Sequence, residues 1–372
     1  MECPHIPFIN YGDFSKRFHD KVFSRRIPID GSIEVTARCN LRCVHCYINL
    51  PLNDRAAQEK ELTYKEFCEI IDQIVDEGCL WLLLTGGEPF IRQDFLDIYT
   101  YAKKKGLLIT IFTNGTTITP RIADYLYDWR PFSIEITLYG RTKETYETVT
   151  RIPGSYEKCL QGINFLLQRQ IPLKLKTMVM TLNKHEVWDI KAYVEGLGLD
   201  FRFDPVLNLR IDGDHKPADF RISPEEIIEL DLADEKRMRD WLEFCEKFQG
   251  PPIHPEYLYE CGAGLSTFNI DSYGRLCACM MSRVPIFNLR YGTFRQGWYE
   301  FMPTVLSQEW SRESHCKSCE LISLCGQCPG WAQVEHGDQE KPVEYLCQIA
   351  HARAEAFGLA GLKKGWKNDK EK

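Results

Sequence analysis

The sequence predicts an α/β fold in which six βα units build a partial barrel, followed by a small cysteine-rich domain. Between residues 32 and 205 short β-branched runs alternate with amphipathic segments, and this alternation is typical of parallel βα units. Each run is followed by an amphipathic segment before the next run begins. Of the 16 cysteines in the chain, eight lie beyond this region, between residues 261 and 347.

Six runs are predicted to be strands. Parallel βα units wind right-handedly and a closed TIM barrel has eight of them, so six units predict a TIM-like (β/α)6 barrel that is open on one side. In chain order the runs are "SIEVTA" (32–37), "LWLLLT" (80–85), "LLITIFT" (107–113), "FSIEITL" (132–138), "LKLKTMVM" (173–180) and "DFRFDP" (200–205).

The segments between the strands carry helix signals. The stretch "TYKEFCEIIDQIVDEG" opens on Thr63, has a glutamate three residues later and closes on Gly78, which predicts a capped helix. The stretch "RQDFLDIYTYAKKKG" closes on Gly106 behind three lysines, and cations suit the C-terminal end of a helix. Later in the chain, Ser223 and Pro224 mark the start of a charged amphipathic stretch.

The chain is expected to divide into five segments. The break "GPPIHP" (250–255) separates the amphipathic stretch from the crowded cysteines. The expected segments are an N-terminal extension (1–31), the partial barrel (32–210), a linker and helix (211–254), the cysteine-rich domain (255–350), and a C-terminal helix with a charged tail (351–372).

Composition excludes several classes of protein. The formal charge of −7 and the pI near 5.8 argue against a nucleic-acid partner, because tracking phosphates requires a basic surplus. No run approaches the roughly 20 apolar residues of a membrane span, and the N-terminus lacks the basic-then-apolar order of a secretory signal. The sequence therefore predicts a cytoplasmic protein with no membrane partner. In that reducing compartment, 16 cysteines indicate metal ligands or catalytic thiols rather than disulfides.

Three motifs directly follow the first three predicted strands. A C-x3-C-x2-C run follows the first, "TGGEP" (85–89) follows the second, and "TNGT" (113–116) follows the third. Loops at the carboxyl ends of parallel strands meet at one rim and carry the chemistry of such sheets. The cysteines of the run are Cys39, Cys43 and Cys46.

The three-cysteine run predicts an iron-sulfur cluster with one open position. A four-iron cubane normally takes four thiolates, so a loop that offers three leaves one iron free for a small ligand. Gly86 and Gly87 allow close approach of the backbone to such a ligand, and Glu88 can accept from an amine. A partial zinc site or three unrelated thiols is the alternative.

These residues resemble the radical S-adenosylmethionine (SAM) superfamily, in the order of elements from Ser32 to Pro205. The resemblance implies a 4Fe-4S cluster, held by the three cysteines, that chelates the methionine end of SAM and cleaves it reductively. The resulting 5'-deoxyadenosyl radical would abstract hydrogen from the substrate. The implied cofactor contacts are Gly86, Gly87 and Glu88 at the methionine amino group, His45 at the adenine, Thr137 at the ribose and Arg151 at the polar groups.

Each of the last three assignments has an alternative. His45 could be a metal ligand of a small knuckle, although it stands where the family usually has an aromatic residue. Thr137 could simply be a strand residue, and Arg151 an exposed cation between helices. The residues alone leave these alternatives open.

The C-terminal cysteines contain a compressed run. In "CKSCELISLCGQC" only five residues separate two C-x2-C pairs, which is too few for a zinc ribbon and is closer to ferredoxin-type runs. The arrangement resembles the SPASM domain of certain radical SAM enzymes, although that family often has x3 where this chain has the last x2. The resemblance implies two auxiliary 4Fe-4S clusters, one held by Cys316, Cys319, Cys325 and Cys347, and one held by Cys261, Cys279 and Cys328, with either Cys277 or an open iron position completing it.

The resemblance implies an enzyme that modifies a peptide or protein, forming a thioether or another side-chain crosslink in a ribosomally made precursor. A reductant such as flavodoxin or ferredoxin is the expected partner. Only 31 residues precede the first strand, so we expect no leader-binding winged-helix domain. Either a separate recognition protein or direct binding of the substrate is then required. The alternatives are a sulfatase-maturase-like dehydrogenase that makes formylglycine, with Asp204 as base or merely as a strand-end cap, and a non-catalytic electron-transfer protein.

Overall fold

The computed structural model describes residues 11–23, 25–48, 50–248 and 250–358. Most of the predicted charged tail, from residue 359 onward, and residues 1–10 of the predicted extension lie outside the described residues. The strands are β1 (Asp30–Thr36), β2 (Arg38–Cys39), β3 (Leu50–Pro51), β4 (Trp81–Gly86), β5 (Leu108–Thr113), β6 (Ser133–Thr137), β7 (Leu173–Met178), β8 (Phe201–Asp204), β9 (Thr267–Ile270), β10 (Arg275–Cys277) and β11 (Phe287–Asn288).

The helices lie mainly between these strands, and a π-helical segment, Gly297–Phe301, joins two of them. They are α1 (Tyr11–Phe23), α2 (Arg55–Lys60), α3 (Tyr64–Asp76), α4 (Phe95–Lys104), α5 (Pro120–Asp128), α6 (Lys143–Thr150), α7 (Ser155–Gln168), α8 (Val187–Gly196), α9 (Pro224–Ala233), α10 (Glu235–Phe248), α11 (Phe294–Gln296), α12 (Met302–Leu306), α13 (Ile322–Cys325), α14 (Pro329–His336) and α15 (Glu344–Ala356).

One nine-stranded sheet organises the chain, in the order β11-β10-β9-β1-β4-β5-β6-β7-β8. Six strands, β1 and β4 to β8, form the parallel part of this sheet. Each of them pairs with the next of the six along the chain. Each overlaps one of the six predicted runs, which confirms the partial six-unit barrel. β8 ends the order on one side, so the described sheet is open there.

The other side of the sheet holds strands that the sequence analysis missed. β9 pairs in parallel with β1, with Ile33 opposite Ile270, and β10 and β11 continue the sheet antiparallel. β9 lies within the predicted cysteine-rich domain, so that region extends the barrel sheet directly. The five-segment division of the chain stays a prediction.

Alternation along the strands places the main core between the sheet and its helices. In β5, Ile109 and Ile111 are fully buried in the core that also contains Ile98 and Tyr99 of α4. The intervening residues of a strand face the opposite side, which is the interior of the barrel. Side chains of neighbouring strands therefore lie next to one another on the interior face of the barrel.

The predicted helix ends are confirmed where caps were visible in the sequence. Thr63 caps α3 with a full capping box to Glu66, and Gly78 follows with a φ of +100°. The stretch from 223 to 248 forms two helices instead of one continuous helix, because Asp234 adopts an extended conformation between them. Its carboxylate accepts from the Arg237 amide at 2.8 Å and so begins α10.

A second core joins the open edge of the sheet to the C-terminal helices. Phe203 of β8, Ile227 of α9, Leu324 of α13 and Leu346 of α15 are all buried in it. The cysteine-rich region therefore lies beside both sides of the barrel sheet. Within the described ranges, every helix is too short or too polar to cross a bilayer.

Candidate functional site

The three-cysteine run forms a loop fixed by backbone hydrogen bonds. It begins at Cys39, the last residue of β2, and passes beside the end of α6. The Arg42 amide donates to the Thr150 carbonyl and the Val44 amide to the Val149 carbonyl, both at 3.0 Å. The cysteines lie at the carboxyl end of β1, as the sequence predicts. We refer to residues 39–46 as the cysteine loop.

The two glycines of "TGGEP" fit this motif closely against the chain that enters the cysteine loop. The Gly87 amide donates to the Thr36 carbonyl at 2.7 Å, and a Cβ on Gly87 would lie 2.2 Å from the Arg38 carbonyl oxygen. A Cβ on Gly86 would lie 2.2 Å from the Thr36 oxygen. The close approach that the sequence analysis assigned to a ligand is thus an approach to protein backbone. A ligand contact by these glycines stays a prediction.

The Glu88 carboxylate connects the "TGGEP" loop to the "TNGT" loop through hydrogen bonds. Its carboxylate is fully buried and accepts from the Thr113 hydroxyl and the Asn114 amide at 2.7 Å, from the Phe90 amide at 3.1 Å and from the Thr117 hydroxyl at 3.4 Å. Burial raises the pKa of this carboxyl, while these donors oppose the rise. Only the Asn114 amide bonds to Oε2 among the described residues, so that oxygen can accept a further donor such as an amine.

Asn114 contacts the first cysteine and was missed in the sequence analysis. Its Nδ2 lies 3.7 Å from Cys39 Sγ and donates to Asn40 Oδ1 at 2.9 Å. Asn40 in turn donates to the Thr116 hydroxyl at 2.8 Å. The signal was present, because "TNGT" follows the third strand, but no single residue of it was chosen. The three loops therefore meet at Cys39.

His45 lies in a half-buried aromatic contact with Tyr139. Its ring centroid is 5.0 Å from that of Tyr139, edge to face, and burial lowers the pKa of His45 to about 4. The Tyr139 hydroxyl is hydrogen-bonded to Cys43. His45 thus presents a neutral, planar ring beside the cysteines, and Tyr139 is a second residue that sequence analysis missed.

Thr137 and Arg151 both lie at the rim that carries the cysteine loop, Thr137 at the end of a strand and Arg151 at the end of a helix. Thr137 is the last residue of β6, opposite Lys176 of β7 and two residues before Tyr139. Arg151 ends α6 with a φ of +56° and an exposed side chain, directly after Thr150, whose carbonyl binds the cysteine loop. Contacts of either residue with SAM stay predictions.

The burial of the thiols indicates what the cysteine loop can hold. Burial raises the pKa of Cys39 to about 12 and that of Cys43 well above its usual range. Neighbouring thiolates in such a place need a positive centre, and a metal deprotonates its thiol ligands. In the described part of the chain no three His, Cys, Asp or Glu side chains are close enough to share a single ion. A cluster of several irons accepts thiolates that are farther apart, so the residues fit an iron-sulfur cluster.

The structure brings together the four cysteines assigned to the first auxiliary cluster. The interaction between the Cys325 and Cys347 thiols raises the pKa of Cys325 and lowers that of Cys347. Burial is the main cause that raises the pKa values of Cys316 and Cys319, and the nearby charge of Cys347 adds to the rise. The short helix α13 and the first turn of α15 position this group, which we call the first C-terminal group.

Cys261, Cys279 and Cys328 form a second group. The charges of Cys279 and Cys261 both raise the pKa of Cys328, after burial as the main cause. Cys328 Sγ accepts from the Trp331 amide at 3.2 Å and so caps α14, and Cys279 Sγ accepts from the Ser282 amide at 3.3 Å.

Cys277 is the one predicted ligand that the structure does not bring to this second group. Its thiol is directed to the Arg275 carbonyl at 3.6 Å, and the charges around it belong to Arg283, Asp271, Glu34 and Arg275. Cys277 ends β10, whereas Cys279 lies beyond the strand. The geometry therefore favours the other alternative, in which the second group supplies three thiols.

Asp204 ends β8 and is exposed. Its Oδ1 accepts from the Val206 amide at 2.9 Å, which is the strand-end cap that the sequence analysis considered. The carboxylate also lines a cavity at the open side of the barrel. Its role as a base stays a prediction.

Comparisons with known proteins agree with this geometry. Residues 33–194 match the radical SAM superfamily, and this range contains the cysteine loop, "TGGEP" and "TNGT". The chain is 26% identical over 334 residues to the AdoMet-dependent heme synthase of Methanosarcina barkeri, covering 83% of this chain and 94% of that protein.

The names of two further similar proteins refer to a bacteriocin or to a precursor peptide. The antilisterial bacteriocin subtilosin biosynthesis protein AlbA of Bacillus subtilis is 24% identical over 315 residues, covering 81% of this chain and 67% of AlbA. Streptococcus suis SuiB bound to its precursor peptide SuiA superposes with a TM-score of 0.67 at 16% identity, covering 94% of this chain and 84% of SuiB. At that identity the likeness shows a shared fold.

Proposed function

Since residues 33–194 of this chain match the radical SAM superfamily, we propose that the protein abstracts hydrogen from a residue of a peptide or protein and forms a thioether or another side-chain crosslink. When bound, a 4Fe-4S cluster and SAM supply the electron and the hydrogen-abstracting radical for such a reaction. The likeness to SuiB, a protein that binds a precursor peptide, and to AlbA, a bacteriocin biosynthesis protein, supports a peptide substrate.

The observation that carries the proposal is the meeting of three loops at Cys39. "TGGEP" holds the chain entering the cysteine loop through the Gly87 amide, and Asn114 reaches the Cys39 sulfur. We propose that Cys39, Cys43 and Cys46 ligate the cluster, that Glu88 Oε2 accepts from the methionine amine, and that the half-buried ring of His45 packs on the adenine. Thr137 and Arg151 would bind the ribose and the polar groups of SAM.

The C-terminal cysteines support two auxiliary 4Fe-4S clusters and a SPASM-type domain. We propose that the first C-terminal group ligates one of them with four thiols. Cys261, Cys279 and Cys328 would ligate the other with three and leave one iron open. Such clusters would accept the electron released when a substrate radical is oxidised, and a flavodoxin or ferredoxin would reduce the enzyme.

Anaerobic reconstitution tests the proposal. The full chain should bind about 12 iron atoms for three four-iron clusters and produce 5'-deoxyadenosine from SAM under reducing conditions. Cys43→Ala should abolish this product while keeping the C-terminal clusters, so about eight iron atoms remain. Purified protein that contained zinc and no iron would overturn the proposal.

A tetrapyrrole substrate is the second candidate, because the chain aligns with 94% of the length of a heme synthase. Incubation with SAM and either an iron porphyrin or candidate precursor peptides, followed by mass spectrometry, separates the two. Modified peptide with unchanged porphyrin supports the primary proposal. Modified porphyrin supports the second. A formylglycine product would instead assign Asp204 the role of base.

A further inference from the structure

A cavity of about 570 Å³ lies at the open side of the partial barrel, where β7 and β8 end. Its volume falls within the range of about 300–1,000 Å³ that is typical of ligand pockets. Lys176 and Asp204 line it from the strands, Trp241 from α10 and Arg353 from α15. It also reaches Cys325 of the first C-terminal group. This open-side cavity therefore lies at the same rim of the sheet as the cysteine loop.

Two arginines in the wall of the cavity share one carboxylate. Arg237 and Arg353 each donate Nε to Asp231, the latter at 2.9 Å. Asp231 is fully buried, and the Arg353 side chain is almost as buried. Two guanidinium groups against one carboxylate leave a surplus of one positive charge at this wall.

The strands β7 and β8, which also line the cavity, carry a similar arrangement. Lys176 and Arg202 both bind the Glu135 carboxylate, at 3.0 and 3.1 Å. Burial lowers the pKa of Lys176 to about 8, so it is still mostly protonated at neutral pH. Asp204 is the only acid among the described residues that line the cavity. The four cations thus face three carboxylates, which leaves a net surplus of one positive charge.

The paired arginines are held rigidly. The Arg353 guanidinium lies 3.9 Å from the centre of the Trp241 ring, and that of Arg237 lies 4.5 Å from the centre of the Phe203 ring. Arg237 Nη1 donates to the Phe203 carbonyl and Arg353 Nη1 to the Leu324 carbonyl. Within the described ranges, Nη2 of each guanidinium makes no hydrogen bond to protein. Planar, fixed donors of this kind suit a carboxylate.

We propose that the open-side cavity binds a carboxylate of the substrate, either an acidic side chain or the C-terminal carboxylate of a peptide, through Arg237 and Arg353. A surplus of one charge matches a carboxylate better than a doubly charged phosphate. Anchoring at this wall would extend the peptide along the rim from β8 toward the cysteine loop. This inference rests on the proposed peptide-modifying function and names the class of residue that the enzyme anchors.

Calorimetry on the anaerobically reconstituted full chain tests the site with blocked triglutamate and, as the neutral match, blocked triglutamine. Triglutamate should bind at least tenfold more tightly than triglutamine. Arg237→Gln should raise the Kd for triglutamate about tenfold, as expected for a lost hydrogen bond to a charged group. Arg237→Lys should raise it less, because it keeps the charge and loses the planar pair of donors.

Two further variants make the result decisive. Arg202→Gln changes a mostly exposed side chain, so it should fold normally and raise the Kd about threefold. Arg295→Gln changes an exposed arginine that pairs with the half-buried Glu77 away from the cavity, so it should leave the Kd unchanged. Equal binding of the two peptides, or equal effects of Arg237→Gln and Arg295→Gln, would overturn the site.

Measurements with other ligands identify which kind of molecule supplies the carboxylate. Inorganic phosphate that competes at the same concentration as triglutamate would overturn carboxylate recognition. Tighter, Arg237-dependent binding of coproporphyrin would keep that recognition and overturn a peptide as its source. Arg237-dependent triglutamate binding in an enzyme that modifies no peptide would refute the proposed function and leave the site intact.

Discussion

Arg283 binds Glu34 with both arms of its guanidinium, at 2.5 and 3.1 Å from the two carboxylate oxygens. Glu34 is a β1 residue whose side chain is buried, while Arg283 belongs to the loop that follows Cys279. Tyr47, the residue after Cys46, donates to the same carboxylate at 3.2 Å. This pair therefore connects the cysteine loop, the first strand and the cysteine-rich region.

Removing one partner of this pair should be strongly destabilising. Arg283→Met leaves Glu34 buried without its cation, and we expect the free energy of unfolding to fall by about 3–5 kcal/mol. The pair of Arg295 and Glu77, in which the arginine is exposed, is the control, and Arg295→Met should cost less than about 1 kcal/mol. Urea unfolding measures both, and similar values for the two variants would contradict the expectation.

Gly87→Ala tests the close fit of the loops. The added methyl would lie 2.2 Å from the Arg38 oxygen, so backbone must shift and stability should fall by about 2 kcal/mol or more. Gly196→Ala, at the end of α8 with open space around it, should instead be neutral or stabilise by up to about 1 kcal/mol. Thermal unfolding of the two variants distinguishes them, and a stable Gly87→Ala protein would refute the packing argument.

Asn114 should tune the cluster next to Cys39. Asn114→Asp places a negative charge near the thiolate, so the oxidised cluster is stabilised and its midpoint potential should fall. Redox titration followed by electron paramagnetic resonance measures this. Asn164→Asp, at an exposed position of α7, is the control and should leave the potential unchanged. A potential that does not move in Asn114→Asp would show that the residue has only a structural role.

Iron analysis separates Cys277 from the other cysteines of its neighbourhood. Cys277→Ala should keep the full iron content, because the thiol faces Arg283 and Glu34. Cys328→Ala should lose about four iron atoms per chain. Loss of the same amount in both variants would make Cys277 a ligand after all.

Glu66 should make stability depend on pH in the acid range. Its hydrogen bond with Arg290 lowers the pKa of this carboxyl from its usual 4.5 to about 2. A depressed pKa in the folded state stabilises the protein above pH 4.5, and this stabilisation is lost as the pH falls toward 2. The loss should be about 1–2 kcal/mol, since the pair is partly exposed. Glu66→Gln should lack this part of the slope in urea unfolding between pH 5 and 2.

The six parallel strands could be predicted because each is a short run containing β-branched, aliphatic or aromatic residues that is followed by an amphipathic segment, one of which shows clear helix ends at Thr63 and Gly78. β9 could not, because "TFNI" is short and its pairing with β1 depends on a contact between distant parts of the chain. The position of each motif directly after a strand predicted that the loops lie at one rim. It could not show that Gly87 approaches backbone, that Asn114 reaches Cys39, or that Cys277 faces away, since these depend on where loops meet.

The place of β9 beside β1 also determines the order in which the molecule can be completed during synthesis. Ser32 and its hydrogen-bond partner Asn269 are 237 residues apart, so a ribosome must release most of the chain before β1 gains its second neighbour. Until then the nascent barrel carries an unpaired strand edge, a feature that favours aggregation. Truncation before residue 267 should therefore yield a sticky, poorly folded product instead of an independent barrel.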